Sequence, residues 1–142
     1  MRTPEQLLID SEPFPDRIIS EVGPRKDSYV KWSHYAQRAL LQHPGHDYRV
    51  TSVTYAPGYS YPVKDDNGKP RFDDWVPPVW AIAVEFTFEG SVYAGVGEDD
   101  SPTAAESNAY KRACAHAGIG LHLYNRKGYW LHGRLVKGNG DE

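Results

Sequence analysis

Four alanines, Ala105, Ala109, Ala113 and Ala117, recur at every fourth position and therefore share one face of an α-helix. A stripe of methyl groups is flat enough to lie close against a sheet, which places this segment in a mixed α and β fold. Thr103-Ala104-Ala105-Glu106 reads as a capping box that opens the helix, and Gly118 as the residue that closes it. With the alanines facing the sheet, Lys111 projects away from the stripe and Arg112 lies on its flank.

The sheet is signalled upstream. Val79 to Phe88 alternates, with Trp80, Ile82, Val84, Phe86 and Phe88 on one face and Ala81, Ala83, Glu85 and Thr87 on the other. Glu89-Gly90 turns the chain into an antiparallel partner carrying Val92, Ala94 and Val96. Between Asp47 and Ala56, Tyr48, Val50, Ser52 and Thr54 alternate with Arg49, Thr51, Val53 and Tyr55, a further strand. Trp32, Tyr35, Ala36, Ala39 and Leu40 mark the buried face of a first helix, capped by Ser28 or Ser33 and ending before Pro44-Gly45. Residues 57–78 are so rich in Pro, Gly and Asp that they read as a long mobile excursion, with a turn at Asp66-Asn67-Gly68. A last strand is expected between Tyr129 and Val136.

The expected fold class is thus α+β: helix, three-stranded antiparallel sheet, helix, that is, a β-β-β-α core. Residues 1–27 form a polar N-terminal arm, 28–136 the single domain and 137–142 a disordered tail. A chain of 142 residues suits one domain. The single cysteine, Cys114, excludes an intramolecular disulfide and, without neighbouring ligands, argues against zinc. The N-terminus lacks the basic start and apolar core of a signal peptide, and no apolar run approaches the ~20 residues of a membrane span. A soluble, cytoplasmic protein with no membrane partner is expected.

Catalytic chemistry finds little support. Gly68-Lys69-Pro70 has neither the spacing nor the helix of a phosphate loop. His43 and His46 flank Pro44-Gly45 on what reads as a solvated loop, without a third ligand nearby. The acids Asp65-Asp66, Asp73-Asp74 and Glu98-Asp99-Asp100 offer carboxylates for a nuclease metal, and Glu85 alone has a scaffold position, but 79–98 supplies no catalytic lysine. No enzyme, metal site or cofactor is expected.

The net charge of −3 hides a segregation. Residues 65–106 carry ten acids against two bases, whereas Lys111 to Gly140 carry six bases and no acid. A second basic block, Arg25, Lys26, Lys31, Arg38 and Arg49, faces only Asp27 and Asp47 over residues 25–49. Four Trp and ten Tyr exceed the needs of so small a core. Cations along a backbone and aromatics under bases are what holds single-stranded DNA. The first are available from Lys31, Arg38, Arg49, Lys111, Arg112, Arg126 and Lys127, and the second from Tyr55, with Tyr59, Tyr61 and Trp75 as further candidates.

The stretch Ala105 to Tyr124, AESNAYKRACAHAGIGLHLY, resembles the helix and turn of phage single-strand annealing proteins of the Rad-fifty-two-like superfamily, an Ala-rich helix with Lys-Arg running into Gly-x-Gly-x-x-Leu-Tyr. Tyr29-Val30-Lys31-Trp32-Ser33 and Tyr48-Arg49-Val50 are similar to the opening of that domain, so the likeness spans residues 28–126. It implies a groove that binds single-stranded DNA and anneals complementary strands without ATP, in recombination or repair. The partners it implies are further copies of the chain in a ring or helical filament, and a phage exonuclease or single-strand-binding protein in the host cytoplasm. Lys111 and Arg112 match the family's basic pair; His34 stands where eukaryotic members have arginine, and Leu121 where phage members often do. The alternatives are a double-stranded-RNA-binding module, which shares the helix, three strands, helix order but needs lysines where Ser101 to Glu106 stand, and a structural or host-interaction protein.

Overall fold

A computed structural model describes residues 1–125, 128–131 and 134–136. The element order is α1 (Pro4–Asp10), a 3₁₀ turn (Asp16–Ile18), β1 (Ser20–Val22), β2 (Asp27–Tyr29), α2 (Trp32–Gln42), β3 (Asp47–Ala56), β4 (Tyr59–Lys64) and β5 (Pro70–Val76). It continues with β6 (Val79–Phe88), β7 (Ser91–Asp99), α3 (Pro102–His116), a 3₁₀ turn (Leu121–Tyr124), β8 (Tyr129–Leu131) and β9 (Arg134–Val136).

The expected fold class, built on one three-stranded sheet, is corrected. Among the described residues the strands form four separate antiparallel sheets, β1-β2, β3-β6-β7, β4-β5 and β8-β9. The largest departure is at 57–78, where the expected loop is a ribbon: β4 pairs with β5 from Tyr59↔Val76 to Lys64↔Pro70. Its tip is an Asx turn in which Asp65 Oδ1 accepts from the amides of Asn67 and Lys69, with Gly68 at φ +77°. Pro62 and Pro70 lack a ladder donor and are tolerated because a two-stranded ribbon is all edge. The single expected strand over 129–136 is likewise two short strands paired with each other. The tail 137–142 lies outside the described residues.

α3 packs on one face of β6 and β7, and the alanine stripe is buried there, Ala105, Ala109 and Ala113 at 0% exposure. The complement of the stripe is on β7. A Cβ on Gly95 would strike the backbone of Ala109 and Ala113, and one on Gly97 that of Ala105 and Ala109. Ser101, rather than Thr103, caps the helix: its hydroxyl accepts from the Ala104 amide at 3.4 Å, with Pro102 in the first turn. At the other end Ile119 N–H donates to Cys114 O and Gly118 N–H to Ala115 O, a Schellman closure with Gly118 at φ +97°.

The inner face of β6 supplies Ile82, Val84, Phe86 and Phe88 to a core shared with Phe14, Val30, Tyr35, Ala39, Tyr110, Cys114 and Ile119. Burial pushes the Cys114 thiol pKa up, so this cysteine is filler. α2 begins at Trp32 with Lys31 at the cap position; Ser28 lies in β2 and Ser33 inside the helix. It buries only Tyr35 and Ala39, so Trp32 and Leu40, expected in the core, flank that narrow stripe and remain 50% and 58% exposed.

β3 contains a bulge at Thr51. Tyr48 and Val50 pair with Phe86 and Val84, but beyond the bulge it is Val53 and Tyr55 that stand opposite Ile82 and Trp80, on the same face of the sheet, where both remain exposed. The expected grouping of Arg49 with Tyr55 is thereby undone: Arg49 lies opposite Glu85 on one face, while the Tyr55 ring lies tilted against Trp80, centroids 4.5 Å apart, on the other.

The N-terminal arm packs onto the rest through buried charge. Arg2 Nη1 donates to Asp10 Oδ2 at 2.7 Å and to Ala117 O at 2.6 Å, and Nη2 donates to the Tyr93 hydroxyl at 2.8 Å. His43 Nε2 meets the same Asp10 oxygen at 2.7 Å and is 2% exposed, so the expectation of a solvated loop histidine is corrected.

Candidate nucleic-acid interface

The cations that the sequence nominates divide into those occupied by the fold and those left to solvent. Arg38 is occupied: its guanidinium donates to the carbonyls of Glu12 and Pro13 and sits 4.3 Å from the Phe14 ring centroid. Burial lowers its pKa. His34 lies beside it in a cavity with Phe14, Arg17 and Leu41. Arg49 donates to Glu85 Oε2 through Nε (3.2 Å) and Nη2 (2.9 Å), which leaves the metal candidate Glu85 in an ion pair. No group of three or more metal-ligating side chains occurs among the described residues. Arg126 and Lys127 lie outside the described residues.

Lys111 and Arg112 come together on α3, and Lys31 lies on a segment whose neighbours reach that helix. Tyr29, at the end of β2, and Trp32, at the start of α2, both reach α3: Lys111 Nζ lies 4.1 Å over the Tyr29 ring, and the Trp32 ring meets Tyr110 edge to face at 5.9 Å. Lys31 is exposed on the two-residue link between them. Among the described residues none of these three cations pairs with a carboxylate.

Lys111 and Arg112 line a cavity of ≈540 Å³ with Asn108 on the same helix, Val96, Gly97 and Glu98 on β7, and Tyr124. The Asn108 amide donates to Glu98 O at 3.3 Å and the His116 ring bonds Ala94 O at 2.7 Å, which fixes α3 along the β7 edge. Lys111 is half-buried, and loss of solvent lowers its pKa, whereas Arg112 is exposed. The Tyr124 phenol is raised by burial, partly offset by the Arg112 charge. A cation pair with two aromatic faces can hold a phosphodiester and stack a base; Glu98 opposes phosphate at one rim.

Tyr55, Tyr59, Tyr61 and Trp75 are exposed but are not brought to this cavity: Tyr55 sits at the Trp80 end of the sheet and the others on the β4-β5 ribbon. Tyr29, Asn108 and Tyr124 were not singled out as site residues, although each lies in a stretch that carries the resemblance. Their signal was position relative to Lys111, which needs the fold to be seen. Neither the protein-family models nor the curated proteins give a match to this chain. No helix among the described residues is long and apolar enough to cross a membrane.

Proposed function

We propose that this protein binds single-stranded DNA and anneals complementary strands without ATP or a metal cofactor, acting as a homo-oligomer in a cytoplasm rather than as an enzyme. The observation that carries the reading is that Lys111 and Arg112 line one cavity with Tyr124 and, among the described residues, pair with no carboxylate, while Tyr29 packs on Lys111 and Lys31 stands exposed in the link that follows Tyr29. Cations there engage phosphates while aromatic rings accept bases without regard to sequence. The resemblance of 105–124 to phage annealing proteins points the same way.

Fluorescence anisotropy with single-stranded DNA, duplex DNA and duplex RNA at two salt concentrations tests it, with annealing followed in EDTA. Tightest binding to the single strand, weakening as salt rises, is expected. Tighter binding to duplex RNA would move the assignment to a double-stranded-RNA module.

A further inference from the structure

On the flank of α3 away from β7 lies a second cleft, of ≈420 Å³, walled by the rings of Trp32, Tyr48 and Tyr110 and by Glu106 and Ser107. The rings are held in place. Tyr48 donates its hydroxyl to Glu106 Oε1 at 2.7 Å, and Tyr110 stands edge to face on the buried Phe86, ring centroids 4.6 Å apart. Trp32 is 50% exposed at the mouth. Among the described residues the lining contains one carboxylate and no base, so it repels a phosphodiester while offering π-faces and an acceptor oxygen.

The cleft and the cation cavity lie on different flanks of α3, linked across its surface by Ser107 and Lys111. Ser107 precedes Lys111 by four residues, about 6 Å along the helix axis, so a nucleotide whose phosphate meets Lys111 has its base within reach of the cleft. We propose that this cleft is a nucleobase pocket, taking one base of the bound strand, stacked against Trp32 with its polar edge toward Glu106. The proposal rests on the single-strand reading above and adds a selectivity to it. A carboxylate accepts from the exocyclic amino groups of cytosine, adenine and guanine, whereas thymine offers only a ring N–H.

The test compares oligonucleotides of one length, poly-dC, poly-dT and an abasic strand, against the native protein, Trp32→Ala, Trp32→Phe and Glu106→Gln. Native protein should bind poly-dC about five-fold or more tighter than the abasic strand, the least that one stacked base provides. Trp32→Ala should narrow that difference about five-fold or more, leaving what Tyr29 and Tyr124 contribute, while binding of the abasic strand changes less, Trp32→Phe should keep most of it, and Glu106→Gln should narrow the gap between poly-dC and poly-dT. Trp32→Ala of native circular dichroism that still binds poly-dC like the native protein overturns the pocket while leaving strand binding intact. Tryptophan quenching by argininamide but not by oligonucleotide, present in the native protein and lost in Trp32→Ala, would assign the cleft to a cationic side chain of a protein and equally overturn it. If the native protein binds none of the three strands, the single-strand reading itself falls.

Discussion

The Lys111 ammonium rests 4.1 Å from the centroid of the Tyr29 ring, so the cation nominated for phosphate is also what the β2 strand packs on. A contact of this kind stabilises by about 0.5–1 kcal/mol. Tyr29→Leu should therefore destabilise the fold by about that amount and loosen the position of Lys111. Urea denaturation measures the first effect, and strand affinity of the folded variant the second.

Arg112→Ala should weaken strand binding at least as much as Lys111→Ala, because arginine engages a phosphate with two parallel hydrogen bonds and Arg112 is the more exposed. Each loss should lower the slope of log affinity against log salt by about one. A double variant with native circular dichroism and unchanged affinity would place the strand elsewhere.

Burial lowers the Lys111 pKa, so its folded value lies below its unfolded one. The protonated, half-buried ammonium therefore costs stability, and that cost disappears as pH rises through the folded pKa. Strand affinity has the opposite sign: it should fall on alkaline titration earlier in the native protein than in Lys111→Arg, whose charge persists. Anisotropy across the alkaline range reads the difference.

Gly97→Ala should destabilise by about 1–3 kcal/mol or more, since the added methyl meets the α3 backbone at Ala105 and Ala109 and neither can retreat into a flexible side chain. Gly45 has nothing within 4 Å of a Cβ, and Gly45→Ala should stay within about 0.5 kcal/mol of native. Urea midpoints of the two variants compare them directly.

Asp10→Ala should cost about 3–5 kcal/mol, because it strands the buried Arg2 guanidinium and removes the oxygen that His43 meets. The N-terminal arm should then be cut by trypsin at Arg2 and Arg17 before the rest of the chain. Cleavage at native rates would show that the arm is held by its other contacts, those of Phe14 and of Arg38 with the Glu12 and Pro13 carbonyls, rather than by Asp10.

His122 accepts the Phe14 amide at Nε2, 3.2 Å away, and burial, reinforced by the Arg38 charge and opposed by Asp16, pushes its pKa from 6.5 down to about 4. The folded state resists the proton more than the unfolded state does, so stability should be lost as pH falls from about 6.5 to about 4, by about 3 kcal/mol. An NMR titration of the imidazole together with denaturation at several pH values checks both sign and window.

Periodicity is local, and what depends on it was legible in the residues themselves. The alanine stripe of α3, the alternation of β6 and the glycine closure at Gly118 follow from such spacings, whereas Lys111, which the stripe turns away from the sheet, is half-buried against Tyr29, a contact the stripe does not announce. What depends on distant partners was not. Arg38 is withdrawn from any ligand by carbonyls 25 and 26 residues earlier, and Arg49 by a carboxylate 36 residues later. The bulge at Thr51 turns Tyr55 to the face opposite Arg49 through a shift in strand pairing that no periodicity of β3 announces. The ribbon at 59–76 was hidden by its prolines and acids, because composition records what a segment contains and not what it pairs with. The sequence by itself determined that the alanine stripe is helical and that 79–96 is extended, and which residues are chemically able to hold a strand. Tertiary structure decided which of them remain unpaired, since a charge is neutralised by proximity in space, and proximity at these separations exists only after folding.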